Sequence, residues 1–286
     1  MYPELFKIGP LTVYSFGFML GLSFIIASII LTKEYKRGGL SDTEASEITM
    51  IALVFGVIGS KLFDIFENWG DPTTTIWGKM FSPGGLTYYG GFILVTVIII
   101  VYCRRKKIPF RRLADLTAPS LAIAYGIGRI GCHLAGDGDY GIPTKLPWGT
   151  NYENAINKPM DVFRNTDIAN SFPGHFVPNN TPLHPTPIYE FLGALAIFGI
   201  LWYYRKKDFE PGRLFMIYLI LSALARFLVE FIRMNPNFAL GLTEAQFISV
   251  ILFFAGIGGF YYLKGKTAPP MPVLKAKTIK KNKDRK

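Results

Sequence analysis

The sequence predicts an all-α polytopic membrane protein: a bundle of about seven transmembrane helices, N-terminus outside, C-terminus cytoplasmic, with a small external cap. Three observations carry this. Half of the 286 residues are hydrophobic and only 18% are charged, below the roughly one quarter of soluble domains. The mean hydropathy is +0.28. The apolar residues gather in blocks of roughly 18 to 24, long enough to cross a hydrocarbon core about 30 Å thick. A soluble cytosolic enzyme is excluded on these grounds.

The blocks predict helices near residues 11–32, 45–66, 86–103, 113–135, 185–204, 212–233 and 243–263. In the first, Gly17 and Gly21 are spaced four apart, which suits helix packing. This segment follows Glu4, with no basic flank or small-residue cleavage site, and is read as retained. An odd number of spans puts the termini on opposite sides. Basic residues follow the first span (Lys33, Lys36, Arg37), the third (Arg104 to Lys107, Arg111, Arg112), the fifth (Arg205 to Lys207, Arg213) and the seventh (Lys264 to Lys286). Together these are 22 of the 31 Lys and Arg, against six in the opposite loops: Lys7, Lys79, Lys145, Lys158, Arg164 and Arg233. That bias orients the chain, because basic loops stay cytoplasmic. It also accounts for the net charge of +11 without nucleic acid as a partner.

Residues 1–263 are thus expected to form the bundle, with the loop at about 136–183, rich in Asn, Pro and Gly, as its external cap. Residues 264–286 read as a basic, disordered cytoplasmic tail lying against anionic membrane lipids. No internal repeat is visible, which argues against an inverted-repeat transporter. Two cysteines, Cys103 and Cys132, are too few for a disulfide framework.

Three cations fall inside predicted spans, Lys61, Arg129 and Arg226, each costing at least about 2.5 to 3.5 kcal/mol at a helix centre. Lys61/Asp64 and Arg226/Glu230 are spaced to meet on one helix face, and structural ion pairing explains the first. Arg129 differs. It lies in Tyr125-Gly-Ile-Gly-Arg-Ile-Gly-Cys132 with no acidic residue one turn away, and the three glycines let a backbone or ligand approach closely. A buried guanidinium needs an anion, and a lipid phosphate suits its bidentate fork. With Arg226 as second donor, the pattern predicts a pocket for an anionic phospholipid headgroup.

Other polar groups gather at the external ends of the spans: Tyr88 and Tyr89 between two Gly-Gly pairs, His133, Asp137 and Asp139 after the fourth span, and His184, Tyr189 and Glu190 opening the fifth. Each histidine alone suits a hydrogen-bonded interfacial role; their shared location makes an acid–base role an equal alternative. Asp137-Gly-Asp139 lacks the other ligand positions of a calcium loop, so no metal is expected.

Five segments in this order resemble one family: Gly9-Pro-Leu-Thr-Val-Tyr-Ser-Phe-Gly17, Pro83-Gly-Gly-Leu-Thr-Tyr-Tyr-Gly-Gly91, Gly128-Arg-Ile-Gly131 through Gly136-Asp-Gly-Asp-Tyr-Gly141, His184-Pro-Thr-Pro-Ile-Tyr-Glu190, and Arg226-Phe-Leu-Val-Glu-Phe-Ile-Arg233. The chain resembles the bacterial phosphatidylglycerol–prolipoprotein diacylglyceryl transferases from Gly9 to about residue 260. The resemblance implies a multi-pass protein of the cytoplasmic (inner) membrane, active toward the outer leaflet and needing no cofactor. It further implies transfer of the diacylglyceryl group of phosphatidylglycerol to the lipobox cysteine thiol of a prolipoprotein, as a thioether, with release of glycerol 1-phosphate. By resemblance, Arg129 and Arg226 belong to the active site, Glu230 holds Arg226, and Gly141 belongs to a signature turn. Tyr14, Tyr88, Cys132, Tyr189 and Glu190 join them as candidate substrate-binding residues.

The departures bear on the base that must ionise the thiol. Members often carry a histidine where this chain has Tyr89, an asparagine at Cys132 and a tyrosine at Phe16; the Gly136–Gly141 segment is one residue longer than the common form. Either Tyr89 donates a hydrogen bond to the phosphate, or His133 or His184 has the acid–base role. Cys132 reads as a small buried filler at a former amide site. The alternatives to the enzyme are a catalytically silent relative that binds phospholipid or lipoprotein, and a small-solute transporter.

Overall fold

The computed structural model describes residues 1–9, 11–69, 77–78 and 87–269. Among these residues, long helices cover the predicted apolar segments: α1 (Ser15–Arg37), α2 (Asp42–Glu67), α3 (Tyr88–Lys106), α4 (Phe110–Ala135), α7 (Thr186–Tyr204), α8 (Arg213–Val229) and α9 (Glu244–Tyr262). Short helices α5 (Pro159–Val162) and α6 (Asp167–Asn170) lie between α4 and α7. Among the described residues, five segments are long and apolar enough to cross a membrane: α1, α2, α7, α9, and α8 extended to Ile232. Only 17 to 33% of each span's most apolar stretch is buried within the protein. Such a surface belongs in hydrocarbon, because water tolerates few large apolar patches. The basic opening of α4 (Arg111, Arg112) leaves it more polar, while α3 is apolar up to the cations Arg104, Arg105 and Lys106 of its last turn.

The chain is mostly helical but not purely so. Among the described residues, three two-stranded antiparallel pairs occupy connections: β1 (Glu4–Ile8) with β2 (Leu11–Tyr14), β3 (Thr150–Asn151) with β4 (Pro182–Leu183), and β5 (Asn237–Ala239) with β6 (Leu242–Thr243). The first span therefore begins at Ser15 and not near residue 11, since residues 11–14 pair with β1. The sixth helix ends at Val229, and Glu230–Ile232 forms a 3-10 turn that redirects the chain at Arg233.

Cα packing divides the chain into two units. In residues 1–31 with 114–267, α7 and α9 both pack on α8. Ala118 and Ala122 of α4, Ile197 and Leu201 of α7 and Leu214 of α8 share an apolar core. Gly126 meets Ala194 and Phe191 of α7, and Gly131 meets Phe16 and Met19 of α1. These glycines admit neighbouring helices; Gly128, Gly17 and Gly21 have open space where a Cβ would stand. The packing role expected for Gly17 and Gly21 is thus not what they serve among the described residues.

Local rules set the helix ends on which the site hangs. Thr243 caps α9 by accepting the Gln246 N–H at 3.2 Å, and the Gln246 side chain accepts the Thr243 N–H at 3.1 Å, a capping box. The Asp115 carboxylate reaches from α4 to accept the N–H groups of Gly212 (2.6 Å) and Phe215 (2.8 Å), satisfying orphan donors that open α8. Pro187 sits in the first turn of α7, where a missing N–H costs nothing.

The predicted cap is a packed layer, not an open loop. Tyr140, Tyr152, Phe163, Val177 and Leu183 form its core, each at most 2% exposed. The first residues of the predicted tail are held as well: the Gly265 N–H donates to Glu210 at 3.0 Å. Residues 270–286 lie outside the described residues.

In the described part of residues 32–113, α2 packs along α3. Gly59 and Gly90 face each other there, and a Cβ on Gly90 would collide with the Gly59 carbonyl and Phe63. The glycines flanking Tyr88 and Tyr89 on that side thus serve close helix approach.

Candidate active site

Six ionised side chains from four segments converge where α4, α7 and α8 meet the cap. Glu190, in the opening turns of α7, is the hub, with its side chain 3% exposed. Its carboxylate meets Arg129 of α4 (3.4 Å), Arg226 of α8 (3.1 Å) and Arg233 beyond the 3-10 turn (3.3 Å). It also accepts the Tyr125 hydroxyl at 2.5 Å, while the Tyr125 ring lies 4.9 Å from the Arg129 guanidinium, within cation–π range.

The two other carboxylates complete the cluster. Glu230 is fully buried and pairs with Arg226 at 3.0 Å, as the spacing of four predicts. It also accepts the Thr243 hydroxyl (3.0 Å) and the Asn235 amide. Asp139, from the loop after α4, spans two arginines: one oxygen pairs with Arg129 and the other with Arg233. Burial would raise the Asp139 carboxyl, but Arg233 and Arg129 outweigh it and hold the group below the usual carboxylate range. Asp137 moves the other way, pushed up by burial and by the charge of Asp139. Burial opposes the charge of Arg233, yet Asp139 and Glu190 keep it firmly cationic.

The structure corrects the sequence reading at two arginines. Arg129 does not await a lipid phosphate for its counter-ion, because the fold brings it Asp139 and Glu190 from ten and 61 positions away. Arg233 is no loop cation; its side chain is 8% exposed inside the cluster. Its spacing from Arg226 and Glu230, positions i, i+4 and i+7 of one helical face, was the signal that marks it. Tyr125 and Asp139 carry no comparable local signal, since what distinguishes them is contact across the fold.

The histidines stand apart from this cluster. His133 Nδ1 lies 3.0 Å from the buried Tyr152 hydroxyl, tying α4 to the cap core. His184 Nδ1 lies 3.2 Å from the Tyr189 hydroxyl, which accepts the Trp148 indole N–H at 2.7 Å. Burial lowers the His184 pKa, so the ring is neutral at pH 7. Among the described residues, neither imidazole hydrogen-bonds a member of the cluster.

Gly141 bridges to Arg233, its N–H donating to the His184 carbonyl at 2.8 Å. A Cβ there would meet the Ile232 carbonyl and the Thr186 methyl, so this glycine lets three segments close around the cluster. Cys132 is 8% exposed with its sulfur 3.9 Å from Arg129. Its sulfur and the carboxylates of Asp137 and Asp139 lie within 4.8 Å of one another. Two guanidiniums already hold Asp139, and their charge opposes a cation there. Tyr14 lies half-exposed on β2. Tyr88 and Tyr89 open α3, but their side chains lie outside the described part of the structure.

The family model of the prolipoprotein diacylglyceryl transferases matches residues 3–262. The chain belongs to that family. It is similar to phosphatidylglycerol–prolipoprotein diacylglyceryl transferases of Clostridium tetani, at 33% identity over 90% of this chain and 96% of the relative, and of Leptospira interrogans, at 28% over 90% of both. The second such transferase of Clostridium perfringens is 32% identical over 86% of this chain and 90% of its own. With membership established, the arginines and carboxylates are the groups to weigh against a lipid phosphate.

Proposed function

We propose that the chain transfers the diacylglyceryl group of phosphatidylglycerol to the lipobox cysteine of a prolipoprotein, forming a thioether and releasing glycerol 1-phosphate. Family membership over nearly the whole chain carries this reading; the arginine cluster supplies its chemistry. The substrate thiolate attacks the glycerol carbon that bears the phosphate, the carbon–sulfur bond forms, and the carbon–oxygen bond breaks. Negative charge then grows on the departing phosphate. Arg129 and Arg226, 19% and 26% exposed within a low-dielectric setting, are placed to stabilise it. Glu190 and Glu230 fix the guanidinium planes, so little reorganisation remains for the reaction itself.

In this reading all seven long helices cross the cytoplasmic membrane of a bacterium, with the N-terminus and the cap outside. The cluster then lies toward the outer leaflet, where phosphatidylglycerol and the prolipoprotein signal peptide meet it. The test is transfer of labelled diacylglyceryl from phosphatidylglycerol to a synthetic lipobox peptide by purified protein, beside Arg129→Ala and Arg226→Ala. Arginine-dependent transfer is expected, with each substitution lowering the rate about 10²- to 10³-fold. Lipid binding without transfer by the unaltered protein would mark a silent relative instead.

A further inference from the structure

The three guanidiniums of Arg129, Arg226 and Arg233 face three carboxylates, Asp139, Glu190 and Glu230. The cluster is therefore balanced before any substrate arrives. A phosphodiester adds one negative charge and its monoester product more, in a site that tolerates unpaired charge poorly. One carboxylate must leave the arginines or take a proton.

The three differ in how they are held. Glu230 is fully buried and bound by Thr243 and Asn235 as well as by arginine. Glu190 is 3% exposed, bound by Tyr125 and three arginines. The Asp139 side chain is 27% exposed and, among the described residues, bonded only to the guanidiniums of Arg129 and Arg233. It places one oxygen on each, the arrangement two oxygens of a phosphate would adopt. Its backbone is fixed, with the carbonyl accepting from Thr186 and the N–H donating to Asp137 at 3.3 Å, so the side chain can turn away without the loop moving.

We propose that Asp139 is a stand-in anion at the phosphate position, and that once substrate phosphate displaces it, it takes the proton of the attacking thiol. The inference rests on the transfer reading above. In atoms, the thiol proton passes to the Asp139 carboxylate. Sulfur bonds to the glycerol carbon, and the carbon–oxygen electron pair leaves on the phosphate. The aspartic acid returns its proton to the departing phosphate or to water as it pairs again with the arginines. The groups facing Asp139 are Arg129 and Cys132 from α4, Asp137 from its own loop, Arg233, and Glu190 and Arg226 across the cluster. Separated from Arg233 and Arg129, it loses the two nearest charges that hold its pKa down, while burial still raises it against the remaining pull of Arg226.

The experiment uses the full chain in nanodiscs and compares the unaltered protein with Asp139→Asn and Asp139→Glu. Calorimetry reads binding of sn-glycerol 1-phosphate, and the peptide assay reads kcat and its pH profile. Asp139→Asn should bind the phosphate at least tenfold tighter, because its arginines are unoccupied, while kcat falls about 100-fold and the acid limb of the profile disappears. Asp139→Glu should stay within tenfold in both. Equal or weaker phosphate binding by Asp139→Asn overturns the stand-in role; a kcat within tenfold of the unaltered protein overturns the base. Should Asp139→Asn fail to fold, Asp139→Ser carries the same two readings. If the unaltered protein transfers nothing, the function reading fails and takes the base with it, while phosphate binding still decides the stand-in role.

Discussion

Glu190 bears more of the site than any other side chain, with three arginines and a tyrosine on two oxygens. Glu190→Gln leaves three guanidiniums facing two carboxylates, and breaking buried pairs costs about 3 to 5 kcal/mol. Thermal unfolding in detergent should show a lowered midpoint, and an unchanged one would show that the cluster is held by packing alone. At Gly141 the expected fault is steric: Gly141→Ala drives a methyl into the Ile232 carbonyl and Thr186, at about 1 to 3 kcal/mol. Its midpoint should fall with little change in the pH dependence of transfer. Arg129, Arg226, Glu190 and Glu230 were legible from sequence, because a charge within an apolar block has few bland explanations. Arg233 was read as a loop cation, because it closes its block, and a cation at a block's end ordinarily faces water.

The helix ends decide where these side chains point. Asp115 caps α8 from α4 through two N–H groups, so Asp115→Ala should cost about 1 to 2 kcal/mol and loosen the helix that carries Arg226. Hydrogen exchange at the opening turn of α8 reads this directly; exchange as slow as in the unaltered protein would refute it. The position of each long helix was legible within a few residues, since apolar block length is a local property. Two ends were not. Residues 11–14 read as the start of the first span but pair with β1, and a short apolar run does not by itself separate strand from helix. The 3-10 turn at Glu230–Ile232 likewise follows from the contacts of Glu230 and Arg233, not from propensity.

For the molecule as a whole, the cap and its charges set the response to pH. Asp139 lies below its ordinary value near 3.8, so its contribution is present above that value and lost as pH falls through the lower folded one. Asp137 lies above its ordinary value; its contribution is complete only at low pH and is lost as pH rises through the raised one. Asp137→Asn should therefore raise the unfolding midpoint more at pH 7 than at pH 4. His184, held below its ordinary 6.5 by burial, favours the fold above that value and ceases to as pH falls through its folded pKa. A midpoint for Asp137→Asn that shifts equally at both pH values would remove Asp137 from this account.

The sequence by itself determined the membrane class, the approximate helices, the resemblance to a transferase family and two of the three arginines. Those depend on composition, block length and motif order, which are local and survive without coordinates. The tertiary structure alone decided that Asp139 and Glu190 neutralise Arg129, that Arg233 lies inside the cluster, and that His133 binds Tyr152 of the cap while His184 binds Tyr189 of α7. A counter-ion is chosen by distance in space, and residues ten to 94 positions apart along the chain meet only when helices and cap pack together.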